Sequence, residues 1–258
     1  MALYVSETGP ATAPTIVMVP GGGTGGWFWT PQIERLADYH LLAPDMPEQG
    51  RSLGEKPFSV VDAAQRLAEL INSRAQGGRA HVVGISLGAQ TLVQLLATCP
   101  EVVDHALVSS ANVRGLPGAG LLKPYFKLMM PLRAVPWMLR LGMKNSGVPR
   151  QFYDDVLREA QEMTLDSLTH VTMESLNFRV PAGLDKVKSP VLVMAGEKEP
   201  GLMRASARDL AAAIPGAQGR LVKKGIHAWN LQYPDLFTQT LRAWIEGRPL
   251  PEGLVRWS

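Results

Sequence analysis

Short runs rich in Val, Ile and Leu recur along this chain between amphipathic segments, and this alternation constrains its fold more than any other feature. The runs lie at 15–19, 40–44, 80–85, 105–109, 191–195 and 219–222. Continuous apolar runs of this length fit parallel strands covered on both faces. Helical patterning at 31–37, 60–73, 87–97, 205–213 and 236–247 falls between them. The expected fold class is therefore α/β, a doubly wound, mostly parallel sheet flanked by helices. The alternation breaks once. Residues 115–183 carry no strand signal but do carry helical patterning and Met129, Met130, Met138, Met143, Met163 and Met173. They read as a helical cap inserted into a core made of residues 1–114 and 184–258. The plainer reading of the methionines is core filler, since an unbranched thioether fits irregular gaps.

Composition narrows the function classes. The 258 residues are 46% apolar and 19% charged, ordinary values for a globular domain with a substantial core. Net charge is +3 and the basic residues are scattered, so no nucleic-acid partner is expected. The longest apolar-rich stretch, 121–143, is interrupted by Lys123, Lys127, Arg133, Arg140 and three prolines, which rules it out as a membrane span. The opening MALYVSETGP lacks the basic and apolar regions of a secretory signal. The single Cys99 offers no intrachain disulfide. Together these lead to the expectation of a cytoplasmic protein acting on a small molecule.

The chemistry begins at Gly84-Ile85-Ser86-Leu87-Gly88, a GxSxG pattern between the strand AHVVGI and the helix AQTLVQLLAT. At such a junction a sharp turn projects the serine hydroxyl, and the glycines remove the Cβ atoms that would crowd it. The alternative is a purely structural strand-to-helix turn. A serine nucleophile needs a base, and strand polarity sorts the five histidines. His40, His81 and His105 each open a strand, so they sit at the sheet edge opposite the loops that hold ligands. His170 lies in the insertion, where a structural or substrate-facing role is expected. His227, after the last expected strand and before the last helix, shares the edge of Ser86 and is the base by elimination. The third group should be an acid at that edge. The strand at 105–109 runs into Ser109-Ser110-Ala111-Asn112 without a carboxylate, which leaves Glu197 or Glu199 after the strand VLVMA.

Five segments in order, PGGGTGGWFW (20–29), DMPEQGRS (45–52), GISLG (84–88), GEKEP (196–200) and GIHAWNLQYPDLF (225–237), resemble landmarks of the α/β-hydrolase superfamily. The resemblance implies a serine hydrolase of the esterase type, with Ser86, Glu199 and His227 as triad. It implies an oxyanion hole from the backbone N–H groups of Gly22 and Leu87, and neither metal nor organic cofactor. The sequence departs from the usual pattern at Pro20 and Gln49, where many relatives have histidine, and at Glu199, where the acid is usually aspartate. Trp27, Phe126, Trp137 and Trp229 are expected to bind substrate, with Trp137, Phe126 and cap methionines roofing an apolar acyl pocket.

One competing pattern is Gly21, Gly23 and Gly26, a GxGxxG after the strand TIVMV with Asp45 downstream, which mimics a dinucleotide fingerprint. Trp27, Phe28 and Trp29 crowd the place where a tightly packed helix should begin, and that reading leaves Ser86 and His227 unused. The expected reaction is hydrolysis of a small to medium, apolar ester or thioester through an acyl-enzyme. A lyase using the same triad as acid and base, and a ligand-binding receptor with negligible turnover, are the rivals on this fold.

Overall fold

All six expected strands are present, and they form the centre of an eight-stranded sheet in a computed structural model of the chain. The structure describes residues 3–257 apart from 56, 117, 123, 125–127, 129–131, 133, 134, 146 and 147. The strands are β1 (Val5–Thr8), β2 (Thr15–Val19), β3 (His40–Pro44), β4 (Ala80–Ile85), β5 (Val103–Ser109), β6 (Val191–Gly196), β7 (Gln218–Val222) and β8 (Leu254–Val255). Their order is β1-β3-β2-β4-β5-β6-β7-β8. Only the outermost pairs, β1 with β3 and β7 with β8, are antiparallel. Both edge strands escape a periodicity reading because they are short and partly exposed, with no apolar run to announce them. Every residue of β2, β3 and β6 is buried, as a sheet covered on both faces requires.

Alternation along the strands separates two cores. Val17 and Val19 of β2 face Leu67 and Ile71 of α2 (Val60–Arg74) and Leu92 and Leu95 of α3 (Leu87–Thr98). Ile16 and Met18 face the other side, with Trp29, Trp229, Phe237 and Leu241. The expected helix at 31–37 is shorter than its pattern suggests, only Thr30–Ile33. After it the chain tightens into i→i+3 turns, Arg35 N–H to Gln32 O (3.1 Å) and Leu36 N–H to Ile33 O (3.3 Å).

Because β3 pairs on one side of β2 and β4 on the other, the chain reverses direction across the sheet between β2 and β4. The carboxyl ends of strands at such a switch point leave a crevice where ligands bind in open α/β sheets. Two loops meet there, the glycine-rich loop after β2 and the turn after β4 that carries Ser86. A Cβ built on Gly21 would stand 3.6 Å from the Ser86 Cβ.

Between β5 and β6 the described residues form helices and no strand, chiefly Pro136–Asn145, Tyr153–Glu162 and Leu165–Asn177. Buried carboxylates fasten this segment to the sheet edge. Glu159, above, accepts from Trp27 Nε1–H (2.8 Å) and Gly50 N–H (3.2 Å). Glu48, below, is fully buried and accepts from Phe58 N–H (2.9 Å), Ser167 Oγ (3.2 Å) and His170 Nδ1 (3.0 Å). Met163 and Val171 join the core beside Leu87, so these two positions are filler in the plain sense. Among the described residues no helix is long and apolar enough to cross a membrane.

Candidate active site

Ser86 stands between β4 and α3 with φ 56° and ψ −120°, a left-handed conformation rare for a residue with a side chain. Holding it there costs of order 1–3 kcal/mol, which the surrounding packing must sustain. The glycines make the turn possible: a Cβ on Gly84 would overlap the Gly88 carbonyl, and one on Gly88 would overlap those of Val19 and Pro20. Ser86 N–H donates to Ser109 O (2.9 Å), which ties the turn to the end of β5.

Leu87 opens α3, where the first N–H groups have no acceptor within the helix. Gly22 lies beside it, with a hypothetical Cβ 3.2 Å from Leu87 Cδ2 and equally close to Val171 of the overlying helix. The neighbouring Gly23 N–H is already committed, donating to Gln49 Oε1 at 2.6 Å. Gln49 was legible in the sequence only as a departure from the usual histidine; its part in fixing the glycine loop is visible in the structure alone.

The loops after β6 and β7 bring Glu199 and His227 together. His227 Nδ1 lies 2.6 Å from Glu199 Oε1, and since a carboxylate only accepts, Nδ1 carries the proton. Glu199 is 4% exposed, whereas the imidazole is about half exposed, so burial holds the carboxylate more tightly than the ring. The other oxygen, Oε2, accepts from Gly196 N–H (2.7 Å) and from Ser110 Oγ–H (2.8 Å). Glu197 is exposed, and its Oε2 accepts from Lys224 N–H at 2.8 Å. Among the described residues no hydrogen bond joins Ser86 Oγ to His227 Nε2. Such contacts are often loose in an unliganded site and tighten around the substrate.

The aromatic residues expected to bind substrate are distributed differently. Trp229 is a correction: it is fully buried, packs on Phe237 with ring centroids 4.4 Å apart, and donates Nε1–H to Ser109 Oγ (2.8 Å). A wholly buried indole has no face left for a ligand. Trp27 stacks on Phe152 and is tied to Glu159, at the seam between the glycine loop and the helices that lie between β5 and β6. Trp137 is 67% exposed on the helix Pro136–Asn145, and no described contact brings it to Ser86. Phe126, Met129 and Met130 lie outside the described residues. Burial of Glu159 raises its pKa, and nearby Asp45 adds to the effect, against hydrogen bonds from Trp27 and Gly50 that lower it.

In sequence and in fold the chain is similar to known hydrolases. The model of the alpha/beta hydrolase family matches residues 16–240. An AB hydrolase superfamily protein of Gibberella zeae is 31% identical over 248 residues, covering 93% of this chain and 82% of that protein. RutD of Pseudomonas syringae pv. syringae, named for a proposed carbamate hydrolase activity, is 27% identical over 256 residues, with 93% and 96% covered. Among solved structures, the enol-lactonase from Burkholderia xenovorans LB400 superposes with a TM-score of 0.78 at 20% identity, over 95% of this chain and 96% of that one. With the elbow, the switch-point crevice and a family model spanning most of its length, this chain belongs to the alpha/beta hydrolase family.

Proposed function

We propose that the chain is a serine hydrolase of the esterase type, cleaving a small to medium, apolar ester or thioester through an acyl-enzyme. The observation that carries this reading is the 2.6 Å contact between His227 Nδ1 and the buried Glu199, at the sheet edge where the strained Ser86 is presented. In the proposed cycle Ser86 Oγ attacks the carbonyl carbon while His227 Nε2 takes its proton. The Gly22 and Leu87 amides receive the developing oxyanion. Each such donor contributes roughly 3 kcal/mol of transition-state stabilisation in comparable sites. His227 then gives the proton to the leaving alcohol or thiol. Water repeats the sequence to release the acid, and Glu199 stabilises the imidazolium in both halves.

The names of the relatives widen the acyl classes worth testing, since an enol-lactone and a carbamate present the same kind of carbonyl to a serine. We regard residues 115–183 as the cap over this site, resting on Gly22 through Val171 and on Gly23 through Met163. The test is a turnover screen of p-nitrophenyl esters of graded chain length, a lactone and an aryl carbamate, with labelling of the serine by a fluorophosphonate. Ser86→Ala should abolish both turnover and labelling and keep the fold. Labelling of Ser86→Ala at the wild-type rate would overturn the assignment. A bound ligand cleaved without any trapped acyl group would favour the lyase instead.

A further inference from the structure

We infer that Ser110 is a positioning residue of this site, holding Glu199 so that a glutamate can act where the shorter aspartate is usual; this rests on the hydrolase reading above. Glutamate has one more rotatable bond than aspartate, and its terminal torsion is broad, so its carboxylate must be held from outside. Here both donors converge on Oε2. Gly196 N–H at 2.7 Å and Ser110 Oγ–H at 2.8 Å occupy it, which leaves Oε1 to His227 alone. The direction of the Ser110 bond is fixed, because the carboxylate has no proton to offer.

The backbone at Ser110 points to a retained side chain. Its φ is 58°, one of four left-handed non-glycine values among the described residues, together with Glu48, Ser86 and Lys224. Glycine would relax that conformation, yet the position carries a buried hydroxyl, 1% exposed, that donates to Glu199. Ser110 N–H donates to Met194 O (2.9 Å), tying the residue to β6 next to the loop that bears Glu199. Behind it, Ser109 Oγ lies 3.5 Å from Ser110 Oγ and accepts from Trp229 Nε1–H. The buried indole therefore belongs to the polar chain that backs the acid.

The test compares wild type, Ser110→Ala and Ser110→Gly by three readouts: kcat and KM on a p-nitrophenyl ester, the His227 Nδ1–H proton resonance, and thermal stability. A proton shared across 2.6 Å should resonate far downfield and disappear in Glu199→Gln. In both Ser110 variants we expect that resonance to move or broaden, and kcat to fall about tenfold with KM nearly unchanged, the scale typical of lost outer-shell orientation. The glycine variant should be at least as stable as the alanine variant while equally slow. A merely structural serine would give a kcat that follows stability. An unmoved resonance, or a kcat that recovers in Ser110→Gly, would overturn the inference. The resonance is read without substrate, so it decides the role of Ser110 even if no ester in the panel is turned over.

Discussion

The two edges of one sheet hold histidines of opposite character. At the carboxyl-end edge, His227 bonds a buried carboxylate through Nδ1, and its ring is about half exposed. At the amino-end edge, His40 has both nitrogens engaged, Nδ1 with Thr15 Oγ1 (3.0 Å) and Nε2 with Glu7 Oε1 (2.9 Å), and is 1% exposed. His81 and His105 lie there too, with ring centroids 5.1 Å apart. Burial, with His105 adding to it, pushes His81 down to about 4. His105 is lowered as well by burial. A carboxylate partner is thus not what sets a base apart, since His40 has one. What distinguishes His227, the proposed base, is a half-exposed ring bonded through Nδ1 to a buried carboxylate, whereas His40 is buried with both nitrogens engaged.

The comparison can be broken most severely at the acid. Glu199→Gln keeps the shape but loses tautomer control and cation stabilisation, and should lower kcat by about 10³–10⁴. Glu197→Gln should stay within about twofold, because that side chain only caps the Lys224 amide at the surface. Side-by-side kcat measurements check this, and the reverse order would transfer the role to Glu197.

His40→Ala should do the opposite kind of damage. It removes one hydrogen bond each from Thr15, which keeps Gln76 N–H, and Glu7, which keeps Arg74, and it opens a buried gap, at a cost of about 1–3 kcal/mol of stability. kcat should not change, because the residue lies at the far edge. Chemical denaturation beside steady-state kinetics checks both; a large kcat defect in a folded variant would mean the two edges are coupled.

The smallest effect concerns pH. The folded His81 binds a proton only near pH 4, whereas an unfolded histidine binds one near 6.5. Its contribution to stability is therefore complete above about pH 6.5 and is lost as the pH falls toward 4. His105 acts in the same sense, and Asp104 opposes both. After allowance for solvent screening, the loss by pH 5 is about 1 kcal/mol. Thermal unfolding from pH 7 to 4.5 should show a shallower acid decline in His81→Leu than in wild type. Equal slopes would place the acid sensitivity elsewhere.

The sequence by itself determined the sheet and the chemistry that depends on strand polarity. Apolar runs name strands, and GISLG at a strand-to-helix junction has one geometry open to it. Once the strands are parallel, His40, His81 and His105 must fall at one edge and Ser86 and His227 at the other. Local patterning could also place a glutamate after β6, and family spacing chose Glu199, the one that the structure brings to His227. What only the tertiary structure decided are contacts between residues remote in the chain. Ser110 reaches Glu199 across 89 positions, Trp229 turns inward to Ser109 across 120, and Glu159 comes down on Trp27 across 132. No periodicity encodes which face of an indole is buried or which hydroxyl meets a carboxylate. Those outcomes depend on how separate loops pack at the same edge, so Trp229, close to His227 in sequence, stands behind Ser109 and Ser110 on the side of Glu199.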